Sequence, residues 1–365
     1  MNTSDFNYEL PVDRIAQKSV EPRDQSKLMV VHMSEERYEE TQFFHILDFL
    51  HPGDVLVWNN SKVFKARLTG KLLTKNNHGL WDHARDVEIF LVRPKQNDGV
   101  WQVLAKPGKH VRNGTRVWFA DDFYAEPMVT EKDGTLLVQL FDEHDQPLSE
   151  EAVREKANTY GSVPVPPYVK DEKHQEESYQ TVYAKEEGSV AAPTAGFHFT
   201  PELIQKIREK GVEFAEITLH VGLGTFLPVK TERIEDHTMH SEWVEVSEST
   251  AYMINHAKQQ GRRIIAVGTT TVRTLEGIAS LPIFQHNNNQ LPAFTGDLNI
   301  FITPGFEFQI VDCLITNFHL PKSTLLMLVA AFVGNKEFLL SCYQDAVEKE
   351  YRFFSFGDAM FLTNT

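Results

Sequence analysis

The chain has 365 residues, with 36 Lys and Arg against 51 Asp and Glu, a formal net charge of −15. A composition of 41% hydrophobic, 11% aromatic and 24% charged residues excludes a disordered or fibrous chain, and the length allows two or so domains with real cores. The acidic balance excludes adhesion to nucleic acid or to an anionic membrane through net charge alone. Two cysteines, Cys313 and Cys342, are too few for a disulfide framework, a CxxC redox pair or a four-cysteine zinc site.

The N-terminal MNTSDFNYEL carries neither the basic nor the apolar region of a secretion signal. The longest apolar run, Leu325 to Val333, is half a membrane span at most. A cytoplasmic protein with no membrane partner is expected. Short strands are expected at 55–58, 63–68, 87–92, 100–104, 116–119 and 136–141, separated by turn signals such as Asn97-Asp98-Gly99, Asn113-Gly114 and Asp133-Gly134. A helix over 150–159 follows, then the Pro-rich stretch from Val163 to Tyr168, which suits extended polyproline geometry.

Beyond residue 190 the pattern alternates. Thr200-Pro201-Glu202 and Gly211 bracket a helix over 201–210, and a strand is expected over 212–219. Helices are expected over 247–260, 271–279, 322–333 and 336–349, with strands at 263–267 and 310–316. The fold class is therefore an α/β main domain, discontinuous in sequence over 1–62 and 151–365, with an inserted, mostly antiparallel, barrel-like β domain over 63–150.

Charge follows the same division. Residues 61–120 hold twelve Lys and Arg against four acids, a net of +8 that leaves −23 for the remainder. Such asymmetry suggests a bipolar module in an acidic body.

Five stretches invite chemistry, each beside a plainer reading. His220-Val221-Gly222-Leu223-Gly224-Thr225-Phe226 follows a strand but lacks the third glycine of a dinucleotide fingerprint, so it reads as a tight turn or as a close backbone approach to a ligand. Gly268-Thr269-Thr270-Thr271-Val272-Arg273 lies between strand and helix; its hydroxyls and free N–H groups suit a carboxylate or phosphate, or simple N-capping. Ala192 to Phe199 offers Thr194, Phe197 and His198 for a planar-ring pocket, or a loop packed on the core. Asn317-Phe318-His319 closes a buried strand, where α/β folds favour ligands. Tyr351 to Asp358 sets Arg352 and Asp358 in an aromatic run that suits base stacking or core packing. His237 and His240 lack the context of a metal site, and no metal is expected.

The ordered strings APTAGFHF, HVGLGTF, HTMHSE, GTTTVRTLE, NFHLPKSTLLMLVAAF and YRFFSFGDAM resemble the S-adenosylmethionine:tRNA ribosyltransferase-isomerase family of queuosine biosynthesis. YELPVDRIAQKSVEPRDQSKLMV and VWNNSKVFKARLTGK match the family's style, so the resemblance runs from Tyr8 to Met360. Phe197 and Phe356, where relatives often have Leu or Tyr, are conservative departures. The resemblance implies transfer and isomerisation of the ribosyl unit of S-adenosylmethionine to 7-aminomethyl-7-deazaguanine at the wobble position of tRNA. Epoxyqueuosine forms, and adenine and methionine leave. S-adenosylmethionine is then a ribosyl-donor substrate, with no prosthetic group.

On that footing His198 or His220 is the candidate base, and Asn317 and His319 would hydrogen-bond adenine or the incoming base. Thr269, Thr270 and Arg273 would hold the methionine carboxylate. Thr194, Phe197, Gly222, Gly224, Thr225 and Phe226 would contact nucleoside or sugar, and Arg352 and Asp358 would shape the pocket. Lys106, Lys109 and Arg112 of the basic insert would contact tRNA phosphates. A monomer is expected. An S-adenosylmethionine enzyme acting on small molecules and a noncatalytic tRNA-binding module are the alternative readings.

Overall fold

The computed structural model describes residues 1–96, 99–166, 168–169, 178–222, 231–237, 239 and 241–364. In chain order the elements are β1 (Lys27–His32), β2 (Arg37–Gln42), β3 (Val55–Asn59), β4 (Ser61–Val63), β5 (Arg67–Lys75), β6 (Trp81–Gln96), β7 (Val100–Lys106), β8 (Thr115–Ala120), β9 (Phe123–Thr130) and β10 (Leu136–Phe141). Next come α1 (Glu150–Tyr160), β11 (Glu186–Ser189), α2 (Pro201–Glu209), β12 (Glu213–His220), β13 (Glu242–Val246), α3 (Glu248–Gln259), β14 (Ile264–Val267), α4 (Thr269–Ala279), α5 (Pro282–His286) and β15 (Phe294–Leu298). The last are β16 (Cys313–Asn317), α6 (Thr324–Val333), α7 (Lys336–Glu348) and β17 (Ala359–Thr363).

These form two compact units, one of residues 1–62, 167–186 and 192–365 and the other of 63–166 and 187–191. The boundary expected at residue 150 is therefore corrected: 151–166 and 187–191 go with the smaller unit. The reason is packing. Ser149 caps α1 by accepting from the Ala152 N–H, and the buried Val153 and Ala157 of α1 join Leu68, Ile89, Trp101 and Val117 in the smaller unit's own core.

The smaller unit is a six-stranded antiparallel sheet in the order β10-β7-β6-β5-β8-β9, and β10 pairs with both β7 and β9, so neither end of the ladder is left as an edge. Strand β9 was not expected, because acids flank it and Pro127 interrupts its pattern. It forms nonetheless, with Pro127 opposite Val138 at a register shift that spares the missing N–H.

The larger unit carries a nine-stranded mixed sheet, β15-β13-β12-β3-β14-β16-β17-β1-β2. Its centre, β12-β3-β14-β16, is parallel, and β3, β14 and β16 are buried along their whole length, as continuous apolar runs covered on both faces require. Neighbouring β17 runs antiparallel to β16, pairing Ala359 with Asn317, and β1 runs parallel to β17, pairing Leu28 with Ala359. One edge of this sheet thus gathers the carboxyl ends of β12, β3, β14 and β16 and the amino ends of β17 and β1. The apolar run expected as a helix is α6, and it is largely buried. Among the described residues no single helix is long and apolar enough to cross a membrane.

Candidate active site

Along that edge the chain between β11 and α2 makes a 3-10 turn, Thr194–His198, closed by Gly196 N–H donating to Pro193 O at 2.9 Å. The turn lies against Tyr183, which stacks on Trp58 with ring centroids 4.0 Å apart and planes 7° from parallel. A Cβ on Gly196 would stand 1.9 Å from Tyr183 Oη and 2.8 Å from Thr181 Cγ2, so only glycine permits this approach. The turn buries Phe197 and His198 and leaves Thr194 half-buried.

His198 Nδ1 is 2.7 Å from Ser26 Oγ, while its Nε2 is buried with no hydrogen-bond partner. Burial pushes the imidazole pKa down to about 3, and the positive charges of Arg352 and Arg23 push the same way; the Asn317 side chain opposes them. His198 is consequently neutral at physiological pH. Asn317 donates through Nδ2 to Phe354 O at 3.0 Å, and its Oδ1 is buried and unpartnered; it lies near His198 without the alignment of a hydrogen bond. Phe197 stacks on Phe356 at 5.7 Å, and the Arg23 guanidinium sits 5.1 Å from the Phe197 ring centroid. Arg23 is held there by donating to Ser178 O and Gln180 O at 2.6 and 2.7 Å. Between Ser19, Arg23, Ser26, His198 and Phe356 runs a crevice of about 10 Å³, room for one water.

Asp358 is buried and orients Arg352. Its Oδ1 accepts from Arg352 Nη2 at 2.8 Å and from Lys27 N–H at 3.1 Å, and its Oδ2 accepts from Arg352 N–H at 2.8 Å. Both carboxylate oxygens are therefore taken, and the guanidinium Asp358 holds also donates to Lys18 O at 3.3 Å and lies near enough to His198 to lower its pKa.

The GTTT segment leads into α4, which begins at Thr269, two residues earlier than expected. Gly268 is the N-cap, at φ 87°, a conformation open to glycine, and no side chain caps the helix. Thr271 Oγ1 donates back to Val267 O at 2.8 Å and Thr274 Oγ1 to Thr270 O at 3.0 Å, whereas Thr270 Oγ1 is buried without a partner. Side-chain N-capping, the plainer reading of these threonines, is thus not what they do. The start of α4 is left without a side-chain cap, and one hydroxyl without a partner.

Arg273, one turn on, is buried and paired with a residue that sequence reasoning missed: its Nη2 lies 2.6 Å from Glu242 Oε2 on β13. Glu242 Oε1 also accepts from Gly222 N–H at 3.3 Å, joining the pair to the start of the glycine loop. His220, at the end of β12, stacks on Trp243 at 5.1 Å. Gly224, Thr225 and Phe226 lie outside the described residues, as does His240. Among the described residues no group of three or more His, Cys, Asp or Glu is placed to hold a metal.

His319 differs in kind from His198. Its Nε2 is 2.9 Å from Thr316 Oγ1, its N–H donates to Tyr343 Oη at 3.1 Å, and its carbonyl accepts from Tyr8 Oη. Burial holds its pKa at about 3. These contacts tie the end of β16 to α7 and to the N-terminal segment. Lys106, Lys109 and Arg112 belong to the smaller unit, where all three are exposed. There Lys109 and Arg112, together with Arg85, depress the pKa of His110, which marks them as one cationic cluster; burial is the larger cause of that shift. Arg23 and Ser26 lie in the YELPVDRIAQKSVEPRDQSKLMV string and Glu242 closes HTMHSE, but their residue types alone gave them no role; strand order brings them here.

The family model described as "Queuosine biosynthesis protein" matches residues 3–362. The chain is 49% identical over 362 residues to the S-adenosylmethionine:tRNA ribosyltransferase-isomerase of Thermotoga petrophila, covering 99% of this chain and 100% of that protein. To the protein of the same name from Finegoldia magna it is 46% identical, covering 99% and 98%. Among solved structures it is similar to the S-adenosylmethionine tRNA ribosyltransferase of Thermotoga maritima, with a TM-score of 0.52 and 38% identity, covering 98% of this chain and 100% of that one.

Proposed function

The chain belongs to the queuosine biosynthesis protein family, and from that membership we infer that it is an S-adenosylmethionine:tRNA ribosyltransferase-isomerase. It moves the ribosyl group of S-adenosylmethionine to tRNA and rearranges it. In the full reading the acceptor is 7-aminomethyl-7-deazaguanine at the wobble position, the product is epoxyqueuosine, and adenine and methionine are released. The observation that carries this reading into the structure is a convergence. Motifs scattered from Thr194 to Asp358 meet along one sheet edge, and they bring buried, unpartnered polar atoms there: His198 Nε2, Asn317 Oδ1, Thr270 Oγ1 and Arg273 Nε. Buried polar atoms are costly to leave unpaired, so their occurrence in these motifs supports a ligand site.

The chemistry assigns work to these groups. A proton leaves the ribose 5′ carbon, acidified by the adjacent sulfonium, and His198 is the base we favour, with His220 the alternative. Burial keeps the His198 ring neutral, and the Ser26 hydrogen bond fixes it. Adenine is then expelled, with Asn317 supplying a hydrogen bond to the ring, and His319 acts as the buried support behind it. The acceptor must attack as a neutral amine, since an ammonium has no lone pair; the cations Arg23 and Arg352, whose charges act on His198, would disfavour the charged form. A ribose oxygen closes the epoxide as methionine departs. Thr269, Thr270 and Arg273 would receive the methionine carboxylate, Thr194, Phe197 and Gly222 the nucleoside, and the cluster around Lys106, Lys109 and Arg112 the tRNA phosphates. A cytoplasmic monomer without a membrane partner remains our reading; the burial of α6 bears only on the last of these.

The test is mass spectrometry of an anticodon stem-loop carrying the precursor base, incubated with the protein and S-adenosylmethionine. A mass gain equal to the rearranged ribosyl group, with one adenine released per RNA modified, is expected. Adenine release without RNA, and no gain on the RNA, would point instead to a small-molecule enzyme.

A further inference from the structure

We propose that Glu242 binds the α-ammonium of S-adenosylmethionine, beside an α-carboxylate held by Arg273 and the start of α4, so that the two residues form one subsite for a zwitterion. This rests on the functional reading above and assigns Glu242 a part in it.

The argument begins from how the larger unit treats its other buried carboxylates. Asp54 accepts from Arg263 Nε at 3.0 Å and Nη2 at 2.6 Å and from His51 N–H at 2.6 Å. Glu276 accepts three backbone N–H groups, from Gln309, Ile310 and Val311, at 2.8 to 3.0 Å. Asp358 has both oxygens taken, as described above. These are structural carboxylates, buried at a cost that complete hydrogen bonding offsets.

Glu242 is different. Its side chain is 4% exposed and that of Arg273 9%, yet the pair is incompletely made. The 2.6 Å approach of Arg273 Nη2 to Oε2 lacks the alignment of a hydrogen bond, and Oε2 is the one buried carboxylate oxygen among the described residues without a donor. Arg273 Nε is likewise buried with no acceptor, and so is the hydroxyl of Thr270, one helical turn before it. Were the pair only structural, folding would leave an acceptor and two donors unpaired in one buried place, although the same unit closes the Arg263–Asp54 fork fully.

Charge then selects the ligand. The pair sums to zero, so a lone anion at Arg273 would meet the Glu242 carboxylate, and a lone cation at Glu242 would meet the guanidinium. An amino-acid end satisfies both, because its ammonium and carboxylate are attached to one carbon. The ammonium donates to Glu242 Oε2. The carboxylate accepts from Arg273 Nε, Thr270 Oγ1 and the first N–H groups of α4, which no side chain caps. Gly222 N–H on Glu242 Oε1 ties the same carboxylate to the loop after β12.

Calorimetric titration of the full chain tests this with three ligands: S-adenosylmethionine, its analogue with a hydroxyl in place of the α-amino group, and its decarboxylated analogue. The wild-type protein is expected to bind each analogue roughly 10- to 100-fold more weakly than S-adenosylmethionine, the range of a charged hydrogen bond. Glu242→Gln should lose affinity for S-adenosylmethionine by about that factor while binding the hydroxy analogue as the wild type does, so that discrimination at the amino group disappears. Arg273→Gln should do the same for the decarboxylated analogue. Equal weakening of all three ligands by Glu242→Gln, or no weakening at all, would overturn the proposal. If Glu242→Gln does not fold, the wild type still decides, because equal affinity for S-adenosylmethionine and the hydroxy analogue is incompatible with an ammonium contact. A wild type that bound none of the three would overturn the functional reading itself.

Discussion

His198 and His319 show how differently two buried imidazoles can be used. Both are neutral, with pKa values of about 3 set mainly by burial, but His319 is tied to Thr316, and His198 keeps Nε2 unpartnered at the crevice. Both must charge on unfolding below about pH 6.5, the ordinary value for histidine, while the folded protein takes up no proton on them until about pH 3. In that window the unfolded state binds more protons, so stability falls as pH falls, by up to about 1.4 kcal/mol per pH unit for each histidine. Urea unfolding between pH 7 and 5 should therefore show a steep loss, and His319→Gln, whose amide can still reach Thr316, should flatten the slope by about one such increment. An unchanged slope would remove His319 from this account. At this scale the sequence was partly legible. His198, Thr270 and Arg273 invite a chemical role by type and spacing, whereas Ser26, Arg23 and Glu242, though inside strings that carry the family resemblance, show no role until their partners are known.

Elements were more legible where their signals are local. The Thr200 and Ser247 caps, Pro201 in the first turn and the strands ending at residues 220 and 267 follow from neighbours along the chain. Pairing decided the rest: β1, β2, β9, β13, β15 and β17 need partners supplied from elsewhere, and β6 outruns its apolar core, Val87–Val92, because β5 pairs with it back to Trp81. The 3-10 turn bearing His198 is an element fixed by one close approach. Gly196→Ala should cost roughly 1–3 kcal/mol by overpacking against Tyr183, and Tyr183→Phe, which removes the hydroxyl nearest the new methyl, should restore part of it. Because Tyr183 Oη has no partner, Tyr183→Phe alone should be close to neutral in thermal unfolding. Full additivity of the two changes would contradict the steric explanation.

Over the whole molecule the net charge of −15 conceals a division. The +8 stretch, residues 61–120, falls almost wholly in the smaller unit, where Arg85, Lys109 and Arg112 cluster around His110. We expect this cluster to grip tRNA phosphates while the acidic remainder discourages nonspecific RNA binding. Replacing Lys106, Lys109 and Arg112 by Glu should weaken tRNA binding and lower the slope of log affinity against log salt by roughly 2 or 3, read by filter binding across a salt series. An unchanged slope would place the phosphate contacts elsewhere.

The sequence by itself determined the charge division, the capped helices, the α/β character of the later half and the family, because each is written in residues adjacent along the chain or in strings that keep their order. Only the tertiary structure decided that α1 packs with the smaller unit, that His319 supports while His198 faces the crevice, and that Arg273 meets Glu242. Those facts depend on strand order and register. Ser26 and His198, 172 positions apart, come within 2.7 Å only because β1, β17 and β16 lie side by side, and no local pattern encodes that neighbourhood.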